Sequence, residues 1–497
     1  MRRPLLLAAL AAVSPLGCHA APAGGDVQIV FAADQLGYLA PCGCSEHQLG
    51  GAARAAGAIE ARARRLPTLF LEGGNLLFGT LAPKPDEEQQ LRAKAVAIAR
   101  SWAEATAGTT RRFRRGPYDL VAGAAFADSA LGSLPPVSGG EVVKVGGVPI
   151  GLLPLDGPPA PGAAAALRKA GARVVVALAQ APRVADAQLW GQAAGADLAL
   201  QAGVDDPVQD TDEAALVPAA GPPAFRVKDK GRSLLALTLH LPAGAPAGLV
   251  VPEPAAQRAA RANDLDALIA SDRARLQGAA GPLRELLQKK LTELGARRDA
   301  LRRPETPPAG RAVAEVAFVE LGDGSPEDPK IQEIFQRYTT LVAEQNLAAQ
   351  KDKICAPPKP GELHYVGAAG CRDCHPDAAQ VWDRTKHPHA YQTLVEKGRQ
   401  LDVECIRCHV LGYDQPGGVC RLDRVGALGG VQCEACHGMG SAHADSMGDA
   451  PMPIPKPDLQ TCLRCHTPDN DTRFSRESYV SYYLPGILGP GHGKPAK

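Results

Sequence analysis

Four times between residues 371 and 466 the chain sets two cysteines three positions apart and follows the second with a histidine. The copies are Cys371, Cys374 and His375 in CRDCH; Cys405, Cys408 and His409 in CIRCH; Cys433, Cys436 and His437 in CEACH; and Cys462, Cys465 and His466 in CLRCH. Two thiols about one helical turn apart can reach both vinyl groups of one porphyrin, and the adjacent histidine then points at its iron. A zinc or redox C-x-x-C is the alternative for a single copy. Four copies, each with the terminal histidine, outweigh it, and four zinc sites would need more well-spaced thiols than the 13 cysteines supply. The spacing predicts four covalently bound haem c groups, with His375, His409, His437 and His466 as proximal ligands.

The sixth iron ligands must come from elsewhere. Outside the motifs, this part of the chain holds His364, His387, His389, His443 and His492, with Met439, Met447 and Met452 as the methionines. Five spare histidines for four irons favour bis-histidine ligation, which gives lower potentials than a Met/His pair. His443 follows His437 too closely to fold back onto the same iron, so it is expected to reach a neighbour. His387 and His389 fall on the helix-like stretch AAQVWDRTKHPHAYQTL, interrupted by Pro388, so only one of them is expected to face a haem.

The stretches YVGAAGCRDCHPDAAQVWDRTKHPHAYQTL, ECIRCHVLGYDQPGG and GVQCEACHGMGSAH resemble the tetrahaem cytochrome c family of the type that accepts electrons from hydroxylamine oxidoreductase. The resemblance covers about residues 363–497. It implies that His387 and His443 are distal ligands, with His492 of the terminal GPGHG as a third. His364 and His389 are then in reserve. Members can leave one haem open to a small molecule. Cys420 stands where the family has an apolar residue, and a disulfide with Cys355 or a free thiol are both open. The segment is rich in Pro and Gly with little apolar periodicity, so the porphyrins are expected to fill its interior, and the haem-less polypeptide is not expected to fold.

The other elements must position this region. Arg2 and Arg3 precede the apolar run Leu5–Val13, which predicts a signal peptide over residues 1–20. The sequence PLGC makes Cys18 a candidate lipid anchor, with simple cleavage after Ala20 as the alternative. The chain is therefore expected in the periplasm or on the outer membrane, held to a membrane only through Cys18. A net charge of +1 argues against a nucleic-acid partner. The expected partners are redox proteins, either other cytochromes or an oxidoreductase.

The fold class read from the pattern is multidomain: an N-terminal layered α/β domain, a helical hairpin, and a mostly irregular or α C-terminal cytochrome domain. Residues 27–250 alternate short apolar strands with Ala-rich helical stretches, the strand candidates being 27–33, 68–74, 118–124, 148–155, 173–180, 196–203 and 231–241. Residues 254–303 repeat leucines near heptad spacing and break at Gly281-Pro282, which predicts an antiparallel hairpin serving as packing or spacer. A strand and a helix over 311–354 are expected to return to the α/β domain, and 355–362 is a stiff linker.

The stretch Asp34–Gly51, DQLGYLAPCGCSEHQLGG, follows the first strand and is dense in reactive residue types. With LFLEGGNLLF and YDLVAGA it is similar to the calcineurin-like metallophosphoesterases, notably exported 5′-nucleotidase-type proteins, over about residues 27–241. That resemblance implies a two-metal phosphoester hydrolase, but the ligands are gone. Asp34 is kept; Leu36 replaces a histidine, Asn75 an aspartate, and Gly123–Phe126, Leu178–Ala181 and Leu200–Gly203 carry no histidine. His47 and Glu72 do not make a di-metal centre. The domain is thus expected to be an inactive docking module. Cys42 and Cys44 are read either as structural thiols in a turn or as a sulfur or metal site wired to the haems. The favoured reading is an electron carrier. The alternative is an oxidoreductase acting on a small nitrogen or sulfur compound at an open haem.

Overall fold

The computed structural model describes residues 25–41, 47–82, 87–137, 139–203, 213–217, 221–245, 248–253, 255–303, 309–467 and positions 470, 471, 474, 475, 478 and 479. Cys18, Cys42, Cys44 and His492 lie outside the described residues.

Alternation of apolar residues builds the first layers. Along β1 (Gly25–Ala32), Val27, Ile29 and Phe31 face one way and Val30 and Ala32 the other, and all are buried. Helix α1 (Ala52–Ala63), β2 (Thr68–Glu72), α2 (Glu88–Ala105), β3 (Thr110–Phe113) and α3 (Ala124–Leu131) follow. Next come β4 (Glu141–Val145), β5 (Val148–Leu155), α4 (Ala165–Lys169), β6 (Val174–Gln180), α5 (Val184–Ala194), β7 (Leu198–Ala202), β8 (Ala214–Leu216) and β9 (Ala224–Arg226). Then β10 (Ser233–Leu241) pairs antiparallel with β1, and β11 (Leu249–Val250) lies beyond it. A hairpin of α6 (Ala255–Gln277) and α7 (Gly281–Arg302) precedes β12 (Ala312–Glu320) and α8 (Pro329–Ala349).

The strands form two six-stranded sheets, ordered β11-β12-β10-β1-β2-β3 and β4-β5-β6-β7-β9-β8. Their inner faces share one core, in which Ile29, Leu71 and Leu237 of the first sheet meet Ile150, Val176 and Leu200 of the second. Each such side chain contributes about 1.5–3 kcal/mol on full burial. Helices α1, α2 and α8 cover the outer face of the first sheet through Ile59, Ile98, Trp102 and Tyr338, and α4 and α5 cover the second. The result is a four-layer α/β sandwich, followed in the chain by a C-terminal region of short helices.

Residues 118–124 differ from the sequence expectation. They are a 3-10 turn over Pro117–Leu120 leading into α3, not a strand. Pro117 starts the turn, and the buried Asp119 carboxylate holds it by accepting the backbone N–H of Asn75, Leu77 and Gly116 at 3.0, 2.8 and 2.8 Å. The strand at this place is β3, whose TRRF sequence has no apolar alternation. It sits at the sheet edge, where Arg111 reaches Ala103 O at 2.6 Å and Arg112 pairs with Glu141 at 3.0 Å. In the hairpin, Ala262 and Ile269 lie buried with Leu287 and Leu294, and Lys290 pairs with Asp272 at 2.7 Å.

Beyond α8 the helices are short: α9 (Ala369–Arg372), α10 (Pro376–Asp383), α11 (Ala390–Glu396), α12 (Val403–His409), α13 (Cys433–His437), α14 (Ser441–Asp445) and α15 (Leu459–Cys462). The helix expected through His387 ends at Asp383, before the proline, and His387–His389 form a separate 3-10 turn. A disulfide joins Cys355, in the linker, to Cys420 across 65 residues. Closing a loop of that size restricts the unfolded chain, so replacing both cysteines by serine is expected to cost about 4 kcal/mol. The check is the denaturant midpoint of the C-terminal region, which should fall in the double variant and in wild type treated with reductant.

Candidate haem site

Each attachment motif is built on local helix geometry. In α12 the Asp402 carboxylate caps the first turn by accepting Glu404 N at 2.9 Å, which orders ECIRCH as one helix and puts Cys405 and Cys408 a turn apart. CEACH forms α13 outright. Its Glu434 is buried and accepts from the backbone N–H of Val366, Gly367 and Gly440 at 3.1, 2.8 and 2.7 Å. Gln432 adds a bond from Ala368 N at 2.7 Å. These two side chains tie the approach to the first motif onto the third. In the first and fourth motifs, α9 ends at Arg372 and α15 at Cys462.

The histidines form two facing pairs. The rings of His375 and His443 have centroids 6.0 Å apart at 22°, and those of His387 and His466 are 6.2 Å apart at 67°. Two imidazoles on opposite sides of one metal stand roughly 6 Å apart, because each metal–nitrogen bond is about 2 Å and the nitrogen lies about 1 Å from the ring centre. Both pairs therefore have room for one iron between them. The second nitrogens are also placed for ligation. Nδ1 of His409 faces Ala390 O at 2.6 Å, that of His437 faces Ile454 O at 2.9 Å, and that of His443 faces Ala450 O at 2.6 Å. His466 Nδ1 faces Asp471 Oδ2 at 2.9 Å. Anchoring Nδ1 in this way fixes the ring and leaves Nε2 for the metal. Burial lowers the pKa of His387, helped by His466, and burial likewise lowers that of His409. A neutral ring is the ligand form.

Of the reserve histidines, His364 bonds through Nδ1 to Glu362 O at 2.8 Å, and His389 is exposed on the 3-10 turn. Among the described residues, neither stacks on a motif histidine.

All eight motif cysteines are free thiols. They also report which motifs are neighbours. Cys371 of the first motif lies within hydrogen-bonding reach of Cys433 of the third, which raises the Cys371 thiol and lowers that of Cys433. Cys465 of the fourth is raised by its bond with Cys408 of the second, whose Sγ is 3.9 Å from Arg464 O. Cys436 of the third is raised first by burial and then by the charge of nearby Cys462. In space the motifs therefore run first, third, fourth, second. Among the described residues the aliphatic core around them is seven buried side chains, including Val403, Ile406 and Leu422.

A second cluster lies at the C-terminal ends of β1, β2 and β7. Asn75 Nδ2 donates to Asp34 Oδ1 at 2.7 Å, and Gly203 N donates to both Asp34 oxygens at 3.1 and 3.0 Å. Asp34, Leu36 and Asn75 all have positive φ, at 54°, 50° and 64°, so three non-glycine residues are strained around one point. Asp34 is pushed up to about 7, mainly by burial, and Glu72 and Asp119 are also raised by burial. His47, further along the loop, is turned outward to Asp323 at 2.9 Å. Among the described residues, no three His, Cys, Asp or Glu side chains are grouped to hold a metal ion. Sequence reasoning missed Asp119, because YDL reads as a strand.

The four motifs and paired imidazoles define a c-type cytochrome region. More particularly, residues 370–438 match the family described as cytochrome c554 and c-prime. Cytochrome c-554 of Nitrosomonas europaea is 33% identical over 116 residues, covering 20% of this chain and 44% of the relative. The chain thus spans less than half the length of that curated relative. Solved structures it is similar to include a 5′-nucleotidase precursor from Thermus thermophilus, at 14% identity and TM-score 0.40, covering 67% of this chain and 61% of that one. Another is NAD nucleotidase of Haemophilus influenzae, at 15% identity and TM-score 0.38, covering 70% of this chain and 64% of that one. Among the described residues no helix is long and apolar enough to cross a membrane.

The raised Asp34 has a pH consequence. Its folded value of about 7 exceeds the ordinary 3.8, so the neutral acid is favoured by folding. That stabilisation is complete below 3.8 and is lost as pH rises through about 7, up to about 4 kcal/mol in all. The melting temperature of wild type should fall between about pH 4 and pH 7, and the fall should be smaller in Asp34→Asn.

Proposed function

We propose that this chain is an exported tetrahaem electron-transfer protein. Residues 363–497 attach four haem c groups through their four C-x-x-C-H motifs, and the α/β domain is a non-hydrolytic scaffold. The observation that carries this reading is the pair of facing imidazoles, His375 with His443 and His387 with His466, at the separation one iron requires. When bound, haem c supplies a one-electron iron couple. The residues of the chain hold the rings, exclude water and set the sequence of sites.

In this reading His443 is the distal ligand of the first haem and His387 that of the fourth. The thiol contacts favour a linear wire with the first and second motifs at its ends and the third and fourth between them. His437 and His409 are the proximal ligands of the third and second haems, and His492 is a candidate for a further distal ligand. Bis-histidine ligation favours low potentials. The electron exchange partners are other cytochromes or an oxidoreductase, in the periplasm or at the outer membrane with Cys18 as lipid anchor.

The scaffold reading of the α/β domain is supported by Asp34. Both its oxygens are taken by Asn75 and Gly203, and the histidines a two-metal centre needs are replaced by Leu36 and by the residues of 123–126, 178–181 and 200–203. Cys42 and Cys44 remain a candidate thiol site.

A second reading makes the chain an oxidoreductase at a haem open to a small molecule. It is favoured by the ring pairs among the described residues, which account for the irons of His375 and His466 and not for those of His409 and His437. Nitrite, hydroxylamine or sulfide would then bind at one of those two irons.

Haem quantitation on the purified protein is expected to give four per chain, and two or fewer would sink both readings. His387→Ala and His443→Ala should each convert one haem to high spin in the EPR spectrum. Wild type in which all four ferric haems are low-spin rejects the oxidoreductase, whereas a high-spin signal that moves with added nitrite, hydroxylamine or sulfide selects it.

A further inference from the structure

The helix that carries the second attachment motif is not held by the C-terminal region alone. Its N-cap, Asp402, is 4% exposed and lies against α2 and α8 of the α/β domain. Gln90 of α2, 2% exposed, donates Nε2 to Asp402 Oδ1 at 2.6 Å. Asn346 of α8 donates to Gln90 Oε1 at 2.9 Å and to Leu401 O at 2.8 Å. Arg399 pairs with Asp402 at 2.7 Å, also out of water. Two residues beyond the cap, Glu404 pairs with Lys94 of α2 at 2.7 Å, and Glu404 immediately precedes the attachment cysteine Cys405.

A buried, fully bonded polar seam costs desolvation and gives position in return. Here it joins segments more than 300 residues apart and converges on one attachment helix, α12. The charges it fixes, Arg399, Asp402, Glu404 and Lys94, flank Cys405, and a fixed charge in a site of reduced dielectric biases an iron couple.

Resting on the haem reading above, we infer that the α/β domain forms part of the second haem's binding site: Gln90 and Asn346 are positioning residues for its attachment helix, and the Lys94–Glu404 pair sets its reduction potential. The α/β sandwich then serves the haem chain as a structural and electrostatic seat for one end of the wire. A negative charge beside an iron favours the oxidised state, so baring Glu404 lowers the potential and neutralising it raises it.

The test is a spectropotentiometric titration of the full-length holoprotein and three variants, Lys94→Gln, Glu404→Gln and the double variant, each with its haem count. Both side chains are part-exposed, at 20% and 27%, so the substitutions leave the buried seam intact. Lys94→Gln should lower the midpoint of one haem transition and leave the other three in place. Glu404→Gln should raise the same transition, and the double variant should bring it back toward wild type. Four unmoved midpoints, or an equal displacement of all four, overturn the proposal. A wild-type count of two or fewer overturns the haem reading and this proposal with it.

Discussion

Two imidazoles that share one metal atom must stand about 6 Å apart, and the C-terminal region holds two pairs of histidine rings at that separation. His375 and His443 are brought to 6.0 Å, and His387 and His466 to 6.2 Å, by segments with little regular structure between them. Glu434 and Gln432 gather the backbone of 366–368 onto α13, and Trp382 Nε1 bonds Val431 O at 2.8 Å to bring the His387 segment alongside. Few aliphatic side chains take part. The polar bonds are spent on placing histidines, where in the α/β sandwich the same role falls to sheet pairing and a shared apolar core.

The α/β sandwich gathers buried polar groups at the ends of three strands. These strand ends converge on Asp34, and the backbone there adopts left-handed conformations at Asp34, Leu36 and Asn75. Such strain persists only when the surroundings over-determine it. Asn75 fills the space beside Asp34 with an amide that donates to its carboxyl group. Glu72 and Asp119 remain as buried acids favoured in their neutral form.

Much of this was legible in the sequence where the signal is local. The attachment motifs are read from spacing alone, and the alternation in β1 and β10 is read from period two. The hairpin was legible because leucines recur and Gly281-Pro282 interrupts them. What escaped depends on distant partners. The sequence places His443 beyond reach of its own motif's iron, but nothing local names His375 as the ring it faces. β3 was missed because an edge strand can carry two arginines. The bond from Gln90 to Asp402 was invisible, because a glutamine on an amphipathic helix reads as solvent-facing until its partner 312 residues away is in place.

The disulfide between Cys355 and Cys420 also bears on how the protein is assembled. Its formation needs an oxidising compartment, and an oxidant does not distinguish one thiol from another by purpose. The eight thiols of the C-x-x-C-H motifs lie in the same region. A sulfur taken up in a disulfide is not available to a porphyrin vinyl group, so in a chain that carries both the bridge and covalent haem the two kinds of thiol need separate handling.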